Sequence, residues 1–83
     1  MTTDVEQIDQ GIAAAVRGEM ARQMRKQDDL AAVLGVAQQA VSRRLRGDMP
    51  WRAAELVVVA YWLDVPIERL LINSWIATTP RAA

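Results

Sequence analysis

The stretch Gln27-Asp28-Asp29-Leu30-Ala31-Ala32-Val33-Leu34-Gly35-Val36-Ala37-Gln38-Gln39-Ala40-Val41-Ser42-Arg43-Arg44-Leu45-Arg46-Gly47 holds two short helical patterns around one glycine turn. Leu30, Val33 and Leu34 form the apolar face of a helix over 27–34, with Asp28 and Asp29 in its first turn at the positive end of the dipole. Gly35 is placed to stop it as a left-handed C-terminal residue. Val36 and Ala37 make the turn. A second helix runs over 38–46, with Val41 and Leu45 inward, and Gly47 ends it. Ala31 is small where the two helices cross. Two short helices joined by a tight glycine turn define a helix-turn-helix.

Around this unit the chain reads as helix throughout. Val5, Ile8, Ile12, Val16, Met20 and Met24 recur every three or four residues, which predicts a first helix from Thr3 or Asp4 to a boundary between Arg22 and Lys26. Beyond Asp48-Met49-Pro50, Trp51 anchors the start of a fourth helix through about Leu63; its apolar run Leu56–Leu63 predicts burial on most sides. Pro66 suits the first position of a fifth helix carrying Ile67, Leu70, Leu71, Trp75 and Ile76. The expectation is an all-α, compact five-helix bundle containing a helix-turn-helix. One domain spans 1–83, with a core over 12–71, an N-terminal helix extension over 4–11 and a C-terminal extension over 72–83.

Composition narrows the chemistry. Among the 83 residues there is no Cys and no His, which removes thiolate nucleophiles, disulfides, the commonest general base and the commonest metal ligands. Without a phosphate loop no catalytic constellation remains, so the expectation is no enzyme, no cofactor and no metal. Asp28 and Asp29 are adjacent on a helix and diverge, so the dipole explains them better than paired catalysis. The longest apolar run has eight residues, far short of the roughly twenty of a membrane span. No signal peptide is visible at Met1-Thr2-Thr3-Asp4, and the expected location is cytoplasmic. Formal net charge is zero, yet residues 17–52 carry eight basic side chains against four acidic ones, between acidic flanks. A basic centre on a neutral chain makes a local phosphate-binding surface, or a solvated face of mixed charge.

The sequence resembles the Cro/repressor type of helix-turn-helix domain, the five-helix module of lambdoid phage repressors, over roughly residues 12–71. The resemblance rests on Leu30-Ala31, Leu34-Gly35-Val36, Val41-Ser42-Arg43 and Gly47. Pro50-Trp51, Glu55-Leu56, Ala60, Leu63, Val65 and Leu70-Leu71 also fit. It departs at Met24-Arg25-Lys26, where the family has Gly-Leu-Ser or Gly-Leu-Thr, and at Ala37, where the usual capping Ser is missing.

The resemblance implies a DNA-binding transcription regulator whose helix 38–46 enters the major groove of an operator. It places base readers at Gln38, Gln39, Ser42 and Arg43, with Gln27 supporting Gln38. Arg46 takes a phosphate-contacting position, and Lys26, Arg44 and Arg52 are further backbone candidates. These side chains suit base readout, because a Gln amide pairs in two places with adenine and an Arg fork does so with guanine. A homodimer is expected at least on DNA, with Leu71, Ile72, Trp75 and Ile76 as its candidate interface. Phage repressor or Cro-like protein is the leading assignment, helped by small size and the lack of a separate sensing domain. Two alternatives stay open: the antitoxin of a toxin–antitoxin pair, and a protein-interaction module that kept the fold but lost DNA binding.

Overall fold

The computed structural model describes residues 4–71. Helix α1 spans Asp4–Arg22, α2 Gln27–Leu34, α3 Gln38–Arg46 and α4 Ala53–Leu63. A fifth helix, α5, is described over 67–71. No strand occurs among the described residues. Gly11 and Gly18 do not interrupt α1.

One apolar core joins the elements. Val16, Leu30, Val41, Val59, Leu63 and Leu70 are its largest fully enclosed side chains. Ile12 and Met20 from α1, Leu45 from α3 and Leu56 from α4 also belong to it; α1 and α2 both pack on α3, and α4 lies against α1 and α2. Ala31 is buried, as its place in the crossing requires.

The four longer helices end alike. After each, one residue adopts the left-handed conformation: Met24 (φ 58°), Gly35 (φ 68°), Gly47 (φ 81°) and Asp64 (φ 57°). Its N–H reaches the carbonyl three residues back, and the next N–H reaches five back. The pairs are Met24 to Ala21 with Arg25 to Met20, and Gly35 to Ala32 with Val36 to Ala31. Gly47 to Arg44 with Asp48 to Arg43, and Asp64 to Tyr61 with Val65 to Ala60, repeat them. This double closure satisfies carbonyls that a helix end otherwise leaves open.

Two expectations change. Met24 is not part of the α1 stripe: it sits in the left-handed turn with 87% of its surface exposed, and Val5 at the other end is exposed too. The fourth helix begins at Ala53, and Trp51 is buried in the extended lead-in two residues before it. That helix is also less enclosed than its apolar run suggests, because only one side meets α1 and α2. Val57, Val58 and Tyr61, the last 88% exposed, form an open apolar strip, and Val33 of α2 is exposed as well.

Candidate nucleic-acid interface

The helix α3 carries no acidic residue, and its positions 38, 39, 42, 43 and 46 fall on one side of its cylinder. Gln38, Gln39, Arg43 and Arg46 are exposed there, and Ser42 is half-buried among them. Gln39, Ser42, Arg43 and Arg46 line one shallow hollow of about 250 Å³. The opposite side of α3 is Val41, Arg44 and Leu45, all buried. The glycine turns at both ends and the inward face therefore fix α3, while its polar face stays open.

Within that face the groups differ in commitment. Gln38 donates from Nε2 to Asp28 Oδ1. Arg46 is held lightly, by Nη1 to Ser42 Oγ (3.1 Å) and Nε to Asp48 Oδ2 (3.0 Å). Both members of that ion pair are about 60% exposed, and such surface pairs contribute at most about 1 kcal/mol. The side chains of Gln39 and Arg43 bond to no other described residue, so their donors are open to an incoming ligand. Ala37 and Lys26, the N-cap residues of α3 and α2, place no side-chain cap on the helix starts.

One supporting role needs correction. Arg44 does not face outward. It is 9% exposed and turned to Glu55, with Nη2 to Oε2 at 2.9 Å and Nε to Oε1 at 3.0 Å, and Nη1 also reaches Ala40 O at 3.1 Å. Its spacing from Val41 and Leu45 carried that signal, since 41, 44 and 45 share a helix face. The side chain that bonds to Gln38 is that of Asp28, not Gln27. Gln27 borders a second hollow with Arg17, Met20, Ala21, Arg25 and Leu45. Lys26 and Arg52 are exposed, at the starts of α2 and α4. Of the expected dimer residues, Leu71 is exposed; Ile72, Trp75 and Ile76 lie outside the described residues.

Three long-range contacts that local pattern does not reveal tie α1 and the connector after it to the ends of α3 and α4. Arg17 Nη1 of α1 donates to Leu45 O near the end of α3. Gln23 Nε2 donates to Leu63 O at 2.7 Å, and Arg25 Nη2 to Trp62 O at 2.9 Å. The Arg25 guanidinium also lies 4.8 Å from the Trp62 ring centroid, a cation–π stack. Side chains of α1 and its connector thus cap the carbonyl ends of α3 and α4, where positive charge also suits the dipole.

Two carboxylates are shifted by their arginine partners. Burial pushes the Glu55 carboxyl up, but the Arg52 backbone N–H at 3.0 Å and the Arg44 guanidinium more than reverse this, leaving it below the ordinary glutamate range. Glu19 is also lowered, chiefly by its hydrogen bond from Arg22, against a burial effect and with help from Arg69.

A helix-turn-helix with an open polar second helix is the class this geometry defines. The BetR domain model matches residues 7–81, and the chain belongs to that family. The fold is that of the clp gene regulator ClgR from C. glutamicum, whose crystal structure superposes with a TM-score of 0.80 at 20% identity over 89% of this chain and 96% of that one. No curated protein matches the chain.

Proposed function

We propose that the protein is a sequence-specific DNA-binding transcription regulator that lays α3 in the major groove. The observation carrying this reading is the exposed row Gln38, Gln39, Ser42, Arg43 and Arg46 on a helix whose other face is locked into the core. An α-helix fits the major groove of B-DNA, and these side chains carry the donors and acceptors that distinguish base pairs there. Gln38, Gln39, Ser42 and Arg43 read bases in this account. Arg46, Lys26 and Arg52 meet phosphates, with Arg46 leaving its weak pair with Asp48. The single domain 1–83 acts in the cytoplasm as a regulator rather than an enzyme, and binds its operator as a homodimer. Within that class a phage or prophage repressor or Cro-like protein is the finer assignment, supported by the residues shared with that family. The naming of ClgR as a gene regulator supports the coarser reading.

Titration of a labelled duplex over a range of salt concentrations tests the reading. Binding should weaken steeply with salt, and Arg46→Ala should flatten the log–log slope by about one phosphate contact, roughly 0.9. An absence of binding at low salt, or an unchanged slope in the variant, contradicts it.

A second reading is favoured by the open apolar strip of Val57, Val58 and Tyr61 on α4: contact with a protein, as in an antitoxin or an interaction module. Light scattering of the chain alone and with duplex DNA separates a self-associating regulator from a monomer.

A further inference from the structure

We infer that Asp28 is a specificity-determining positioning residue: it fixes which end of the Gln38 amide faces outward, and so makes that side chain select adenine over guanine. The inference rests on the reading of α3 as the base-reading helix. Its observation is the hydrogen bond from Gln38 Nε2 to Asp28 Oδ1, which joins the first turn of α2 to the first turn of α3.

A Gln amide offers one carbonyl oxygen and two N–H donors, whereas a carboxylate only accepts. Contact with Asp28 therefore works in one orientation of the amide. Turned the other way, Gln38 would set its oxygen against the Asp28 oxygen, acceptor against acceptor. With one N–H committed to Asp28, Gln38 presents Oε1 and its second N–H. Adenine shows the matching pair in the major groove, a donor at N6 beside an acceptor at N7. Guanine shows two acceptors, O6 and N7. To serve guanine, Gln38 would have to bring both N–H groups round and give up Asp28. A neutral amide as partner, such as the neighbouring Gln27 carries, both donates and accepts and would tolerate either orientation. The carboxylate also places a negative charge beside the incoming phosphates, which weakens indiscriminate binding.

The test begins with sites selected from a random duplex pool by the wild-type chain. The same duplex is then made with guanine in place of adenine at the position whose preference Gln38→Ala abolishes. Affinities for both duplexes are measured for wild type, Asp28→Asn and Asp28→Ala. Each variant is judged by the ratio of two affinities from one preparation, so partial unfolding cancels. Wild type should prefer adenine by about tenfold or more, within the range of a good bidentate contact. Both Asp28 variants should cut that ratio at least threefold, while their affinity for a scrambled duplex is equal or higher. If Gln38→Ala loses the preference and either Asp28 variant keeps it, or if a variant weakens both duplexes equally, the Asp28 role is overturned and the base-reading account stands. If Gln38→Ala changes no position, or the selected position is not adenine, the reading of Gln38 falls and the inference falls with it.

Discussion

Arg44 Nη2 lies 2.9 Å from Glu55 Oε2, with both side chains close to 10% exposed. The pair ties the inner side of α3 to the first turn of α4, where Glu55 also accepts the Arg52 N–H. An Arg at the N-cap has no oxygen to return a bond to that turn, so Glu55 supplies the one side-chain bond there. Removing one member of a buried pair strands the other. Glu55→Ala should therefore lower unfolding stability by about 2–4 kcal/mol, while Arg44→Met combined with Glu55→Leu should cost less than either single change. Urea unfolding of Glu55→Ala, of Arg44→Met and Glu55→Leu singly, and of the two combined measures this; additive losses would show that the two residues act independently.

The same carboxylate predicts a pH response. The pKa of Glu55 in the folded state lies below its unfolded value, so the unfolded chain binds the proton first as pH falls. The stability contribution is thus full above the ordinary glutamate pKa of about 4.3 and is lost as pH drops below it. Glu19 adds in the same sense. Unfolding midpoints measured from pH 7 to pH 3 should fall in the acid range, and Glu55→Gln should have the shallower decline. A parallel decline in both proteins counts against the pair.

Exchanges to and from glycine should act in opposite directions at three sites. Met24 holds φ 58° in the left-handed region, which costs an L-residue roughly 1–2 kcal/mol. Met24→Gly should stabilise by about 0.5–1 kcal/mol. Gly18 lies inside α1 with open space where a Cβ would be, so Gly18→Ala should stabilise by a similar amount. Gly47→Ala should do the reverse, because φ is 81° and the new Cβ would meet Gln10 Cγ at 3.1 Å. Thermal melts of the three decide it; a loss of stability in Met24→Gly would contradict the account of the α1 turn.

How far the sequence discloses this depends on the range of the interaction. The bounds of α2 and α3 follow from local signals, namely Gly35, Gly47 and apolar spacing, and they coincide with the observed 27–34 and 38–46. Met24 and Asp64 perform the same stop without glycine, so the local rule does not see them. The burial of Arg44 was available from its spacing, but its charge suggests the opposite, and its partner lies eleven residues away. The Arg17 contact bridges 28 residues and the Gln23 contact 40, and no local pattern encodes either. On α4 the apolar run fixes hydrophobicity, whereas which side is covered depends on how few elements pack against it.

Removal of the Arg25 fork should loosen the joint between the α1–α2 connector and α4. Arg25→Ala loses the bond to Trp62 O and the stack on its ring, about 1–2 kcal/mol together at an exposed site. Arg25→Lys should recover less than half, since an ammonium does not reproduce the planar fork. Equal stability of the Lys variant and wild type would assign the effect to charge alone.

Whether α3 reads DNA sequence is tested most directly by binding-site selection from random duplex DNA, run in parallel with wild type, Gln38→Ala and Arg43→Ala. Wild type should enrich one motif, with two half-sites if the chain binds as a dimer. Each variant should relax that motif at its own position and cost about 1–3 kcal/mol on the selected site, with much smaller effects on random DNA. No enrichment by wild type, or an identical motif from all three proteins, would contradict base reading by α3.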